Sequence, residues 1–114
     1  MDRGLRAGAL LRCPVVFRDI RLGTVVEVIF DRDVSRILGL DVLCGDGSRR
    51  FLSLAACEVE GSLIRVESAL VLVAEELEFY RNRGRALTAL ANWPGVIVAP
   101  DGRVVSRDSV RSAV

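Results

Sequence analysis

Apolar and polar positions alternate with a period of two over most of the first two-thirds of the chain. Two runs show it best. Gly23 to Phe30 (GTVVEVIF) and Ile37 to Cys44 (ILGLDVLC) flank the charged loop DRDVSR. Successive side chains of a strand point to opposite faces. Thr24, Val26, Val28 and Phe30 are therefore expected on one face of the first run, with Val25, Glu27 and Ile29 on the other. In the return run, Leu38, Leu40, Val42 and Cys44 form the apolar face, opposite Ile37, Gly39, Asp41 and Leu43. The loop is too long for a two-residue turn, but its Asp and Ser suit a looser hairpin connection.

CPVVF (Cys13 to Phe17) precedes this pair as a short β-rich run, joined to it by the loop RDIRLG. GDGSR (Gly45 to Arg49) is a strong turn signal. RFLSL, SLIRV and ALVLV read as shorter strands, with AACEVEG as a connection. Five or six short strands at this spacing suggest a small antiparallel barrel or curled sheet, since closure removes edges that would otherwise pair with neighbours. Inward alternation places Val16, Val26, Val28, Phe30, Leu38, Leu40, Val42 and Leu52 in the core.

The period changes at Ala74. AEELEFYRNRGRALTAL has helix formers, early Glu75, Glu76 and Glu78, and late Arg81, Arg83 and Arg85, an order that complements the helix dipole. Leu77, Tyr80, Leu87 and Leu90 could form an apolar stripe, with Gly84 a weak point or a break. After Trp93 and Pro94, VIVAPDGRVVS has apolar runs around a turn and predicts a hairpin at Val96 to Val105. The expected organisation is a β-barrel over 1–74, a helical segment over 75–92 and a tail with a hairpin over 93–114.

Composition narrows the function. At 114 residues the chain is one small domain, and 51% hydrophobic content with only 5% aromatic implies an aliphatic core. A net charge of +1 argues against a dedicated polyanion binder. Every basic residue is Arg, as GC-rich coding would give, and there is no His. Without His the commonest general base is missing, as is any Ser-His or Cys-His arrangement. Cys13, Cys44 and Cys57 are widely spaced, and an odd count with no C-x-x-C pair fits neither a disulfide framework nor a zinc site. The N-terminal stretch is interrupted by Arg12 and Pro14, unlike a signal peptide, and the longest apolar run is far short of the ~20 residues that span a bilayer. A cytoplasmic protein with no membrane insertion is expected.

The pieces Pro14 and Val15, Leu22 and Gly23, Val25, Arg36, and Gly39 with Leu40 follow the order of the PRC-barrel family, which the chain resembles over roughly Leu11 to Val73. The pattern consists of small residues and aliphatics at set spacings and carries no catalytic signature. The resemblance implies a mainly β fold, a small antiparallel PRC-like barrel here followed by a C-terminal helix and a terminal hairpin. It also implies an interaction or assembly module and not an enzyme. The family includes stand-alone bacterial proteins, a reaction-centre subunit domain and a ribosome maturation factor domain.

No catalytic residue, cofactor or metal site is expected. Glu75 and Glu76 fit a dipole role in the first helical turn, and GDG fits a plain turn. The cluster Arg81, Arg83 and Arg85 is the one candidate for RNA contact, a reading less favoured than a solvated helix end. The outward face of the first hairpin is too aliphatic for a solvated sheet. Cover for it is expected from the helix, from the tail or from a second copy in a homodimer or larger oligomer. Ile29, Ile37, Leu43 and Trp93 are the candidate interaction residues, for self-association or for a protein partner.

Overall fold

Extra residues set the geometry of this sheet more than the alternating pattern does. The computed structural model describes residues 4–106. In chain order its strands are β1 (Leu5–Arg6), β2 (Pro14–Phe17), β3 (Ile20–Phe30), β4 (Ile37–Cys44), β5 (Arg49–Ser53), β6 (Cys57–Glu60), β7 (Leu63–Val66) and β8 (Leu72–Val73). Helix α1 (Ala74–Arg83) follows, then β9 (Arg85–Ala86), β10 (Ile97–Val98) and β11 (Val104–Ser106). The protein is mainly β, a curled half-barrel with one helix. The main sheet runs β6-β7-β2-β3-β4-β5-β8, with β9 added to β3. All its pairings are antiparallel except β2 with β7.

Two bulges shape the β3–β4 pair. Val25 pairs with Val42 and Glu27 with Asp41, so Val26 is an extra residue in β3. Ile29 pairs with Gly39 and Phe30 with Ile37, so Leu38 is an extra residue in β4. An inserted residue reverses the in–out phase of its strand and bends it. The inward residues are consequently Val25, Val28 and Phe30 on β3, and Ile37, Leu40 and Val42 on β4, all in the main core with Leu52. The expected core positions Val26 and Leu38 lie elsewhere: Val26 is exposed and Leu38 packs on the outer face. Another irregularity, between Val15 and Val16, puts Val15 in the core in place of Val16. β3 also starts earlier than its pattern suggests, because RDI makes a tight reversal in which Arg18 takes a positive φ of 57°. The segment CEVE, expected as a connection, is strand β6.

Helix α1 stops where Gly84 interrupts its pattern. A Cβ there would overlap the Phe30 carbonyl oxygen and come within 2.9 Å of Ile29 Cγ2. The chain then pairs with β3 as β9. The expected tail hairpin is present: β10 and β11 pair around the Ala99–Gly102 turn, and β1 adds to β10 to make a small second sheet. That hairpin packs on its own chain, with the Ile37 amide donating to the Gly102 carbonyl at 2.8 Å and the Val104 amide to the Ser35 carbonyl. The part of the expected tail over 107–114 lies outside the described residues. Among the described residues no helix is long and apolar enough to cross a membrane.

Candidate functional site

Strand register arranges the outer face of the sheet in three cross-strand rows. The first is Thr24, Leu43 and Arg49; the second is Glu27, Asp41 and Phe51; the third is Ile29, Gly39 and Ser53. Helix α1 lies over the apolar end. Leu77 and Tyr80 pack with Ile29, Phe51 and Leu38 in a small second cluster, and the Tyr80 ring stacks on Phe51 at 4.3 Å between centroids. Gly39 is needed beneath it, since a Cβ there would run into the Phe51 ring and lie 2.6 Å from the Leu52 carbonyl oxygen.

The two carboxylates of the second row, Glu27 and Asp41, both accept hydrogen bonds. Asp41 is only 1% exposed, and Arg49 meets it with both arms of its guanidinium, Nε at 2.9 Å and Nη2 at 2.6 Å. A paired, planar fork of this kind fixes an arginine in one orientation. The bond to Asp41, and beyond it the nearby Glu27 charge, push the Arg49 guanidinium further up, so it stays charged. Glu27 faces Asp41 across the strands, and its carboxylate accepts from the Thr88 amide at 3.2 Å and from the Thr88 hydroxyl. Like charges directly opposite destabilise a sheet. Here each carboxylate has its own donors. A cleft of about 250 Å³ lies above them, lined by Val26, Glu27, Asp41, Arg49 and Arg81 among others.

The first row has no helix over it. Leu43 is 41% exposed and the bulged Val26 is 36% exposed. Arg21, which donates to the Thr24 hydroxyl at 2.7 Å, and Arg49 flank them. The outcome is an apolar patch with cationic margins beside a locked ion pair.

The other candidate residues are scattered. Ile29 is buried beneath α1, and Ile37 lies in the main core under the tail turn. Trp93 is half-buried against the main core, close enough to Gly8 that a Cβ there would come within 2.9 Å of its ring. Of the four candidate interaction residues, only Leu43 stands exposed on the sheet. The three arginines do not form one patch. Arg81 lines the cleft over Glu27 and Asp41, Arg83 sits over the Phe79 ring at 4.3 Å, and Arg85 donates to the Arg32 carbonyl.

The three cysteines are free. Burial, with the charge of Glu58 added, pushes the Cys57 thiol up to about 11, and burial raises that of Cys13. A thiol held protonated is a weak nucleophile. Among the described residues no three His, Cys, Asp or Glu side chains gather as a metal-binding group. A second groove, about 570 Å³, runs between the small sheet and β6 and is mostly apolar, with Leu5, Leu54, Val59 and Val98 in its walls.

Sequence reasoning missed Val26, which alternation assigned to the core, and Phe79, an exposed aromatic in the middle of α1. It also missed the Asp41–Arg49 pair, whose partners lie eight positions apart across the GDGSR turn. That turn was the available signal, because a hairpin brings residues on its two arms together. Compared with protein-family models and with curated proteins, the chain matches none.

Proposed function

We propose that this chain is a non-enzymatic interaction module on a PRC-like barrel, and that it docks a protein partner on the open end of the sheet's outer face. The observation that carries this reading is the open end of the outer face, where Leu43 of the first row and the bulged Val26 are exposed and Arg49 is anchored by the buried Asp41. Interfaces favour such a pairing of apolar contact with a pre-oriented arginine, because little side-chain freedom is lost on binding. The dispersal of Arg81, Arg83 and Arg85 works against an RNA-binding reading, which needs a continuous phosphate-facing patch.

A photo-crosslinking amino acid at position 43 tests the proposal in cells of the source organism. A discrete protein adduct is expected there, absent when the probe is at Glu67 on the β7–β8 connection, and lost when Val26→Asp is added. In a separate pull-down without crosslinking, capture of the same protein should survive high salt, as an apolar contact does. No adduct at position 43, or recovery of RNA that is released by salt, would overturn it.

A further inference from the structure

We infer that α1 is a self-association surface, on which two copies pack their helices antiparallel about a two-fold axis passing beside Phe79. The inference goes beyond the docking surface proposed above and uses a different face of the protein.

The helix is anchored by Leu77 and Tyr80. At about 100° per residue, Phe79 points roughly 160° away from Leu77, directly outward. It is 49% exposed in a helix that is otherwise polar on this side. Phe79 is also held in place. Its ring meets Tyr80 edge-on at 5.0 Å, Tyr80 is stacked on buried Phe51, and the Arg83 guanidinium covers part of the ring. An aromatic fixed in this way loses little freedom when a partner covers it.

Charge identifies the partner as a second copy. The stripe centred on Phe79 carries Glu75 and Glu76 toward the helix start and Asn82 and Arg83 toward its end, all exposed. Among the described residues, Glu75, Glu76 and Arg83 form no ion pair within the chain. A two-fold axis at Phe79 sets each residue opposite the one equally far beyond Phe79 on the other helix. Phe79 then meets its own copy, Glu75 meets Arg83, and Glu76 meets Asn82. The Glu75–Arg83 and Glu76–Asn82 pairings each occur twice, on either side of the single Phe79 pair on the axis, as an isologous contact requires. A parallel arrangement would instead set Glu75 against Glu75 and Arg83 against Arg83, so the charges select the antiparallel one. Two helices of under three turns make a small interface, so the association is expected to be weak and transient.

Sedimentation velocity from about 1 to 500 µM at low salt tests the inference. The wild-type mass should rise from monomer toward dimer over that range, and Phe79→Asp should remain monomeric with an unchanged circular dichroism spectrum. Glu75→Arg and Arg83→Glu should each weaken self-association at least tenfold. An equimolar mixture of these two should recover a heterodimer, because both contacts between positions 75 and 83 are again between opposite charges. A monomer mass at every wild-type concentration would overturn the inference, as would a dimer that survives Phe79→Asp or a mixture that stays monomeric. A dimer abolished by Leu43→Asp but not by Phe79→Asp would move self-association to the sheet face.

Discussion

Removing Arg49 should cost this fold far more than removing the residue it holds. The Asp41 side chain is 2% exposed, whereas that of Arg49 is 45% exposed. Arg49→Met leaves a charged carboxylate buried without its two strongest donors and facing Glu27 across the strand pair. Breaking a buried pair from one side typically costs about 3–5 kcal/mol. Water reaching the vacated surface side offsets part of this, so about 2–4 kcal/mol is expected. Asp41→Leu instead strands an arginine that can turn to solvent, and should cost about 0–1.5 kcal/mol. The double variant removes the buried charge altogether and should lie within about 1 kcal/mol of wild type. Urea unfolding followed by circular dichroism measures all three. For a domain of this size, Arg49→Met should lower the midpoint by about 1–3 M. The reasoning fails if Arg49→Met lies within about 0.5 kcal/mol of wild type, or if Asp41→Leu costs more than Arg49→Met.

Three further outcomes are expected. Leu40→Ala, at a fully buried site in the main core, should cost about 2–5 kcal/mol in the same urea assay, and an unchanged midpoint would contradict its placement. Partial burial pushes the Asp31 carboxyl up, but bonds from the Ser35 hydroxyl and amide and from the Arg36 amide, with the Arg36 charge, bring it below its ordinary value. Its contribution is therefore complete above the unfolded pKa near 4 and is lost as pH falls through the lower folded one. Asp31→Ala should cost about 1 kcal/mol at pH 7 and much less at pH 3 in thermal melts, and an equal cost at both would refute the assignment. Cys57 should react with iodoacetamide at pH 8 roughly a hundredfold more slowly in the folded than in the unfolded protein, since its thiol is held up to about 11. Peptide mass spectrometry checks this, and labelling at the unfolded rate would contradict it.

Much of the strand order was legible because the chain alternates cleanly and marks its turns with Gly, Asp and Ser. The helix start and the tail hairpin were legible for the same kind of reason, a change of period and a turn sequence, whereas the helical segment expected over 75–92 stops at Arg83, before Gly84. Alternation failed wherever an extra residue entered a strand. Val26 and Leu38 are as aliphatic as their neighbours, so nothing local distinguishes a bulged valine or leucine from an inward one. The cover of the outer face was a matter of supply: α1 buries Ile29, while Ile37, expected on that face, points into the main core instead. What remained for a partner, Leu43 and Val26, depended on how far a helix of ten residues reaches. That reach is set by packing between segments and leaves no trace in local sequence.

The small sheet has a consequence for the way the protein is made. Its β1, at Leu5–Arg6, finds its partner only in β10, at Ile97–Val98, and the Ala7 amide donates to the Val96 carbonyl. During synthesis the first of these segments leaves the ribosome many seconds before the second exists, at about 5–20 residues per second and with the exit tunnel delaying the last stretch further. Throughout that interval the strands from β2 to β9 can pair while β1 and the Ala7 amide beside it lack their partners in the tail. Joining β1 to the tail strands is therefore expected late in folding, and that seam should be among the first to open in denaturant.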